Sequence, residues 1–262
     1  MIRSALITVM VQAARKAGRA LTRDFGEVEN LQVSQKGPAD FVSAADRRSE
    51  ETLYRELSKA RPAFGFLMEE RGRIAGTDQQ HEWVVDPLDG TTNFLHGIPL
   101  FAISIALVRE GSPIAGVVYN PINDEMYVAE RGQGAYLNNR RLRVAARKEL
   151  ADCVICCGIP HRGRGDAERF RAELAAMQST VAGVRRTGAA ALDLAWIASG
   201  RFDGFWERGL SAWDIAAGVL LVREAGGFVT DLDGGHDVLE KGSVVAGNEP
   251  VHHALLTALG AA

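Results

Sequence analysis

Residues 83–94 read WVVDPLDGTTNF: an apolar run ends on Asp86, a proline and a leucine separate it from Asp89, and a Gly-Thr-Thr-Asn run follows. Two carboxylates spaced this way around a rigid proline face one point only where the chain turns. Held that close they repel, and a divalent cation relieves the cost. A donor set made of oxygens selects a hard ion, Mg²⁺ ahead of Zn²⁺. Gly90, Thr91 and Thr92 then open a helix, whose first N–H groups are free to receive an anion such as phosphate. Taken singly these are ordinary cap and turn residues. A cation site and a phosphate cradle side by side imply metal-assisted phosphoryl chemistry.

Other acids stand where elements begin or end. Glu69 and Glu70 close the run FGFLMEE, which alone reads as a solvated acidic pair. Asp46 in SAAD and Asp214 after Trp213 fall in first helical turns, where the helix dipole favours a negative charge. Asp231 and Asp233 in TDLDGG have the spacing of a phosphatase Asp-x-Asp nucleophile. They come late in the chain and Gly235 stands where that motif needs Thr or Val, so the segment reads as a turn. No P-loop pattern is present. Cys153, Cys156 and Cys157 lie together in VICCGIP without a second ligand pair, which predicts a buried strand rather than a metal site. The six histidines are scattered, and surface or packing roles are expected for each.

The elements that must position these acids alternate along the chain. Helical spacing of Leu6, Val9, Ala13, Ala17 and Leu21 predicts a folded first helix rather than a secretory leader. A second helix is expected over 44–60, with Ser43 as its cap. Strands are expected at 64–70 and 83–86, followed by a meander of 101–108, 114–121 and 125–137. The second half gives strands at 153–159, 203–207, 228–232 and 243–248. Helices there are expected at 166–178, 190–200, 212–226 and 250–260. With 262 residues, 47% of them hydrophobic, and no linker or repeat, one domain over 1–262 of layered helices and sheets is expected. A net charge of −3 gives no footprint for nucleic acid, and no apolar run is long enough to span a membrane. A cytoplasmic location follows from the cysteine usage and the folded N-terminal helix.

WVVDPLDGTTNF resembles the first signature of the inositol monophosphatase family, and SAWDIAAGVLLVREAGG (211–227) resembles its second. The likeness covers essentially the whole chain. The segment 185–214 is most similar to bacterial inositol-1-monophosphatases of the extragenic-suppressor type. It implies an α+β fold, the five-layer α-β-α-β-α sandwich of the inositol monophosphatase and fructose-1,6-bisphosphatase type, usually assembled as a homodimer. It implies Mg²⁺-dependent, lithium-sensitive hydrolysis of phosphate monoesters with two or three ions per subunit.

Carried onto this sequence, the resemblance assigns Glu69, Asp86, the Leu88 carbonyl, Asp89 and Asp214 as metal ligands. Met68 stands where many relatives have glycine. Thr91, with Asp46 behind it, resembles the pair that orients and deprotonates the attacking water, and no side-chain nucleophile or phosphoenzyme is implied. Gly90 and Thr91 would hold phosphate oxygens. Arg185, Gly188, Ala189, Ala190, Glu207 and Asp214 would meet the substrate, a small polyol phosphate. Lys36 matches a loop lysine near a third, weaker ion. Loops 72–82 and 160–166 could retune the preference toward fructose-1,6-bisphosphate, histidinol phosphate or 3′-phosphoadenosine nucleotides. Some bacterial relatives also bind the transcription machinery, so a protein partner of that kind is a further expectation.

Overall fold

The computed structural model of the protein describes residues 4–27, 33–37, 40–160 and 165–260. Ser4 accepts the Ile7 N–H at 3.1 Å and so starts α1 (Ala5–Phe25). Its buried stripe runs through Met10, Ala14, Ala17 and Leu21. Leu6 and Val9, expected on that stripe, are half-buried, because the face turned inward is centred nearer Ile7 and Met10. A hairpin of β1 (Val33–Gly37) and β2 (Asp40–Ser43) leads into α2 (Ala44–Ala60). The reciprocal capping box of Ser43 and Asp46 fixes the start of α2 at the expected residue.

The first large sheet contains β3 (Phe64–Met68), β4 (Gly72–Ile74), β5 (Asp78–Asp89), β6 (Ala102–Arg109), β7 (Ser112–Asn120), β8 (Glu125–Glu130), β9 (Gly134–Leu137) and β10 (Arg140–Arg141). A single turn of helix, α3 (Thr91–Leu95), interrupts it after β5. The strand order is β10-β9-β8-β7-β6-β5-β3-β4, a meander from β5 to β10 with β3 alongside β5 as the parallel pair. The expected strand at 125–137 is two strands, broken at Arg131–Gln133. Both faces of the sheet are covered, which is why β6 reads as an unbroken apolar run. Ile103, Ile105 and Leu107 face α1 and α2, while Ala102, Ala106 and Val108 face the other way.

The second half supplies β11 (Val154–Cys157), α4 (Ala167–Gln178), β12 (Gly183–Arg185), α5 (Ala190–Ala198), β13 (Gly204–Arg208), α6 (Ala212–Glu224), β14 (Phe228–Thr230), α7 (Val238–Lys241), β15 (Ser243–Gly247) and α8 (Glu249–Gly260). Its five-stranded mixed sheet has the order β12-β11-β13-β15-β14. α5 and α6 lie between the two sheets, and α4 and α8 cover the outer face of the smaller one. The order of layers is therefore α1/α2, large sheet, α5/α6, small sheet, α4/α8: the expected α-β-α-β-α sandwich. α6 has a sheet on either side, and Ile215–Val222 are all buried, as a helix between two sheets requires. The three cysteines are free and buried on β11 and just before it. Among the described residues no helix is long and apolar enough to cross a membrane.

Candidate active site

β5 carries the first two acids through an irregularity in its ladder. Asp86 is opposite Ser104 and Asp89 is opposite Ala102, so three steps on β5 match two on β6. That extra residue is a β-bulge. In a regular strand residues three apart point to opposite faces; the bulge returns Asp89 to the face of Asp86. Pro87 has no N–H to lose from the ladder, and the Leu88 N–H turns to the Asp86 carboxylate at 2.9 Å. β5 is also longer than the expected strand at 83–86, because its first half, from Asp78, runs outside the acidic motif. Gly90 then takes a left-handed conformation at φ 91°, and a β-carbon there would meet the Leu100 carbonyl oxygen at 2.9 Å. α3 begins at once, with Thr91.

The remaining acids arrive from other elements. Glu69 follows the end of β3, its N–H donating to the Val85 carbonyl at 3.3 Å. Asp214 lies in the first turn of α6, and its carboxylate accepts the Ser211 N–H at 2.7 Å. Carboxylate oxygens of Asp86, Asp89 and Asp214 all lie within 4.8 Å of one another. Asp89 also accounts for a start of α5 that lacks a capping side chain of its own. Ala189, its N-cap, offers no side-chain acceptor, and Asp89 accepts the Ala191 N–H at 2.7 Å instead. Thr91 Oγ1 is 3.0 Å from Asp46 Oδ1 and 3.0 Å from the Leu88 carbonyl oxygen, so its one proton has two acceptors to choose between.

Burial first, and then Glu69, Asp89 and Asp214 around it, push the Asp86 carboxyl well above its ordinary range. Asp89 is raised well above its range by burial and then by Asp214, against the pull of the Ala191 N–H. Asp46 is raised by burial, opposed by its bonds to Ser43 and Thr91. Acids this strained by one another, with oxygen donors alone, suit a hard divalent cation.

A cavity of about 480 Å³ opens over these residues, with Glu69, Asp86, Asp89, Thr91 and Asp214 in its lining. Gly90, Gly188, Ala189 and Ala190 also line it. Glu207, at the end of β13, borders the far side, with Gly158 directly against it: a β-carbon built at 158 would lie 1.8 Å from the Glu207 carboxylate carbon. Arg185 lies off the cavity wall. It is exposed, its guanidinium donating to the Val184 carbonyl at 2.9 Å, and its neighbour Arg186 lines the cavity instead. Lys36 lies on β1, and its side chain falls outside the described residues, as do His161 and most of the loop 160–166.

Several residues of the site receive no role from the sequence alone. Asn93 uses both amide hydrogens, on the Leu100 carbonyl at 2.7 Å and the Thr187 carbonyl at 2.8 Å, and so ties α3 to the turn before α5. Asp193 lines the cavity wall from α5; burial pushes its carboxyl up to about 7, against the pull of Thr187, Cys156 and Arg186. Glu173, buried on α4, accepts from Trp206 Nε1 at 3.1 Å and Arg208 Nε at 2.9 Å. The Asp231–Asp233 pair is a turn, as expected, with the Lys241 ammonium bridging the two carboxylates at 2.8 and 3.1 Å.

A layered sandwich with a carboxylate cluster at the seam between sheet and middle helices defines the class, and the sequence matches the inositol monophosphatase family over residues 3–261; the chain belongs to that family of phosphatases. It is 67% identical to a protein of Mesorhizobium japonicum named inositol-1-monophosphatase, over 99% of this chain and 97% of that one. It is 43% identical to the Nus factor SuhB of Escherichia coli K12, over 96% of this chain and 94% of the relative. The crystal structure of the extragenic suppressor protein suhB from Bartonella henselae superposes with a TM-score of 0.95 at 60% identity, covering 98% of both chains.

Proposed function

We propose that the protein hydrolyses a phosphate monoester with Mg²⁺ as cofactor, and that myo-inositol 1-phosphate is its foremost substrate. The observation that carries this reading is the meeting of the Asp86, Asp89 and Asp214 carboxylates within 4.8 Å, in one cavity with Thr91, whose hydroxyl is backed by the buried Asp46. Glu69, Asp86, the Leu88 carbonyl, Asp89 and Asp214 would hold two or three ions. Bound there, Mg²⁺ would supply Lewis-acid polarisation of the phosphate and a water of lowered pKa.

The protein's own part is orientation and proton movement. Thr91 Oγ1 would take a proton from the attacking water as it passes its own to Asp46 Oδ1, 3.0 Å away. Burial has already raised the affinity of Asp46 for that proton. Gly90 and Thr91 would present their N–H groups to the phosphate oxygens, fixing the ester for displacement. No side chain is asked to form a covalent phosphate. On the far wall Glu207 and the backbone of Gly188–Ala190 suit neutral hydroxyls, which favours a polyol ester. Arg186, in the cavity wall, would meet the substrate where Arg185 was expected to. The identity to a named inositol-1-monophosphatase supports the choice of ring. By the same resemblance the working unit is a cytoplasmic, lithium-sensitive homodimer of one domain per chain.

Phosphate release from myo-inositol 1-phosphate, fructose-1,6-bisphosphate, histidinol phosphate and 3′-phosphoadenosine-5′-phosphate, with Mg²⁺ and with EDTA, tests it. Mg²⁺-dependent release from the inositol ester ahead of the others is expected. Silence on all four by folded, Mg²⁺-bound protein would overturn the phosphatase reading. A second role with the transcription machinery is favoured by the relatives named Nus factor SuhB. Recovery of polymerase or elongation factors in a pull-down, with and without Mg²⁺, is its measure.

A further inference from the structure

One face of α2 reaches three separate segments of the acidic constellation. Asp46, Ser49 and Glu50 are spaced i, i+3 and i+4, so they project side by side, and all three are buried. Asp46 holds the Thr91 hydroxyl. Ser49 Oγ donates to the Pro87 carbonyl at 2.8 Å, inside the β5 bulge. Glu50 reaches the loop that carries Glu69: one carboxylate oxygen accepts the Glu70 N–H at 2.8 Å, the other accepts Arg71 Nε at 3.2 Å.

That loop is three residues long, Glu69 to Arg71, between β3 and β4. The Glu69 N–H is taken by Val85 and the Glu70 N–H by Glu50, so one backbone tether comes from the sheet and the other from α2. Arg71 is gripped three ways by the helix: by Glu50, by Glu51, and by the Tyr54 ring, whose centroid is 4.8 Å from the guanidinium carbon. Two donors converging on one side chain need two acceptor oxygens. A carboxylate offers them and an amide offers one.

We propose that Glu50 is a positioning residue for Glu69: by clamping the Glu70 N–H and Arg71 to α2, it fixes the Glu69 carboxylate beside Asp86 and so sets the affinity of the site for its divalent cation. The inference rests on the reading of Glu69 as a cation ligand given above. A buried carboxylate behind a ligand, acting through hydrogen bonds, commonly changes metal affinity by about 10- to 100-fold when removed.

The test is a Mg²⁺ titration of wild type, Glu50→Gln, Arg71→Gln and Glu51→Gln, read by calorimetry and by the rise of melting temperature with Mg²⁺. Exchange of the Glu70 amide hydrogen is followed alongside. For Glu50→Gln a Kd for Mg²⁺ raised about tenfold or more and faster Glu70 exchange are expected, with kcat at saturating Mg²⁺ within about threefold of wild type. Arg71→Gln, which leaves the Glu70–Glu50 bond in place, should move the same way by less, and it carries the test if Glu50→Gln does not fold. Glu51→Gln, which removes only the exposed contact to Arg71 and leaves both Glu50 bonds in place, should move it least of the three. A Glu50→Gln titration that superposes on wild type overturns the proposal. So does a lower melting temperature without Mg²⁺ at unchanged Mg²⁺ affinity, the mark of a merely structural bond. Wild type that binds Mg²⁺ but releases no phosphate overturns the phosphatase reading alone; wild type that binds no Mg²⁺ overturns both.

Discussion

Two helices of this protein open on nearly the same four residues, SAAD at 43–46 and SAWD at 211–214. In each the aspartate folds back so that one oxygen accepts the serine N–H, at 2.8 Å in α2 and 2.7 Å in α6. The local cap is common to both, and what differs is where the rest of the carboxylate goes. Asp46 is fully buried beneath α3, with Oδ1 at the Thr91 hydroxyl. Asp214, on the other side of the large sheet, brings an oxygen within 4.8 Å of Asp86 and Asp89. On the function proposed above, one motif would serve proton transfer in one place and cation holding in another. Helix capping leaves an aspartate one oxygen to spare, and the neighbouring layer decides its use.

The largest expected difference comes from breaking the two aspartates in turn. Asp214→Asn should reduce Mg²⁺-dependent phosphate release to background and also remove the rise in melting temperature that Mg²⁺ gives. Asp46→Asn should keep that Mg²⁺-induced stabilisation while kcat falls by about 10²- to 10⁴-fold, the usual worth of a general base. If Asp46→Asn loses Mg²⁺ binding as Asp214→Asn does, the division of labour between the two caps is wrong.

A third first-turn acid sharpens the comparison, because Asp193 in α5 belongs to a helix whose cap comes from Asp89. Its carboxyl is raised from 3.8 to about 7 by burial, so the folded protein holds a proton there that the unfolded chain releases. The stability this gives is complete below about pH 4 and is lost as pH rises toward 7. Asp193→Asn should therefore gain stability over wild type in EDTA across that window. The gain is at most about 1.4 kcal/mol per pH unit, and it levels off above pH 7. Denaturant melts at several pH values would show it; a gain independent of pH would contradict the assignment. The smallest effect belongs to the cap itself. Ser43→Ala should cost about 1 kcal/mol of stability by chemical denaturation. It should also slow turnover, since the Ser43 hydroxyl is a partner of Asp46.

What the sequence revealed was what short-range chemistry specifies. The bounds of α2 fall at 44 and 60 as read, because a capping box marks its start. The Asp86–Asp89 pair was legible because its spacing, proline and following glycine lie within a few residues. Ser49 and Glu50 gave no signal, since their partners stand 38 and 20 residues away and nothing local tells a buried helix face that it will meet a bulge. β4 and β12, of three residues each, are too short to show a period of two. At Arg185 and Arg186 two like residues in a row left the choice of face open. The middle layer was legible in part: α6 was visible as an apolar helix, but its contact with both sheets is a tertiary fact.

The absence of room for a β-carbon at Gly158 has an evolutionary reading. Any other residue there must displace Glu207, which stands on a different strand from every acid of the cation cluster. On the function proposed above, a single codon change would therefore redraw what the far wall recognises while leaving Asp86, Asp89 and Asp214 in place. In this chain a lineage can drift in substrate taste without first surrendering its hydrolytic machinery.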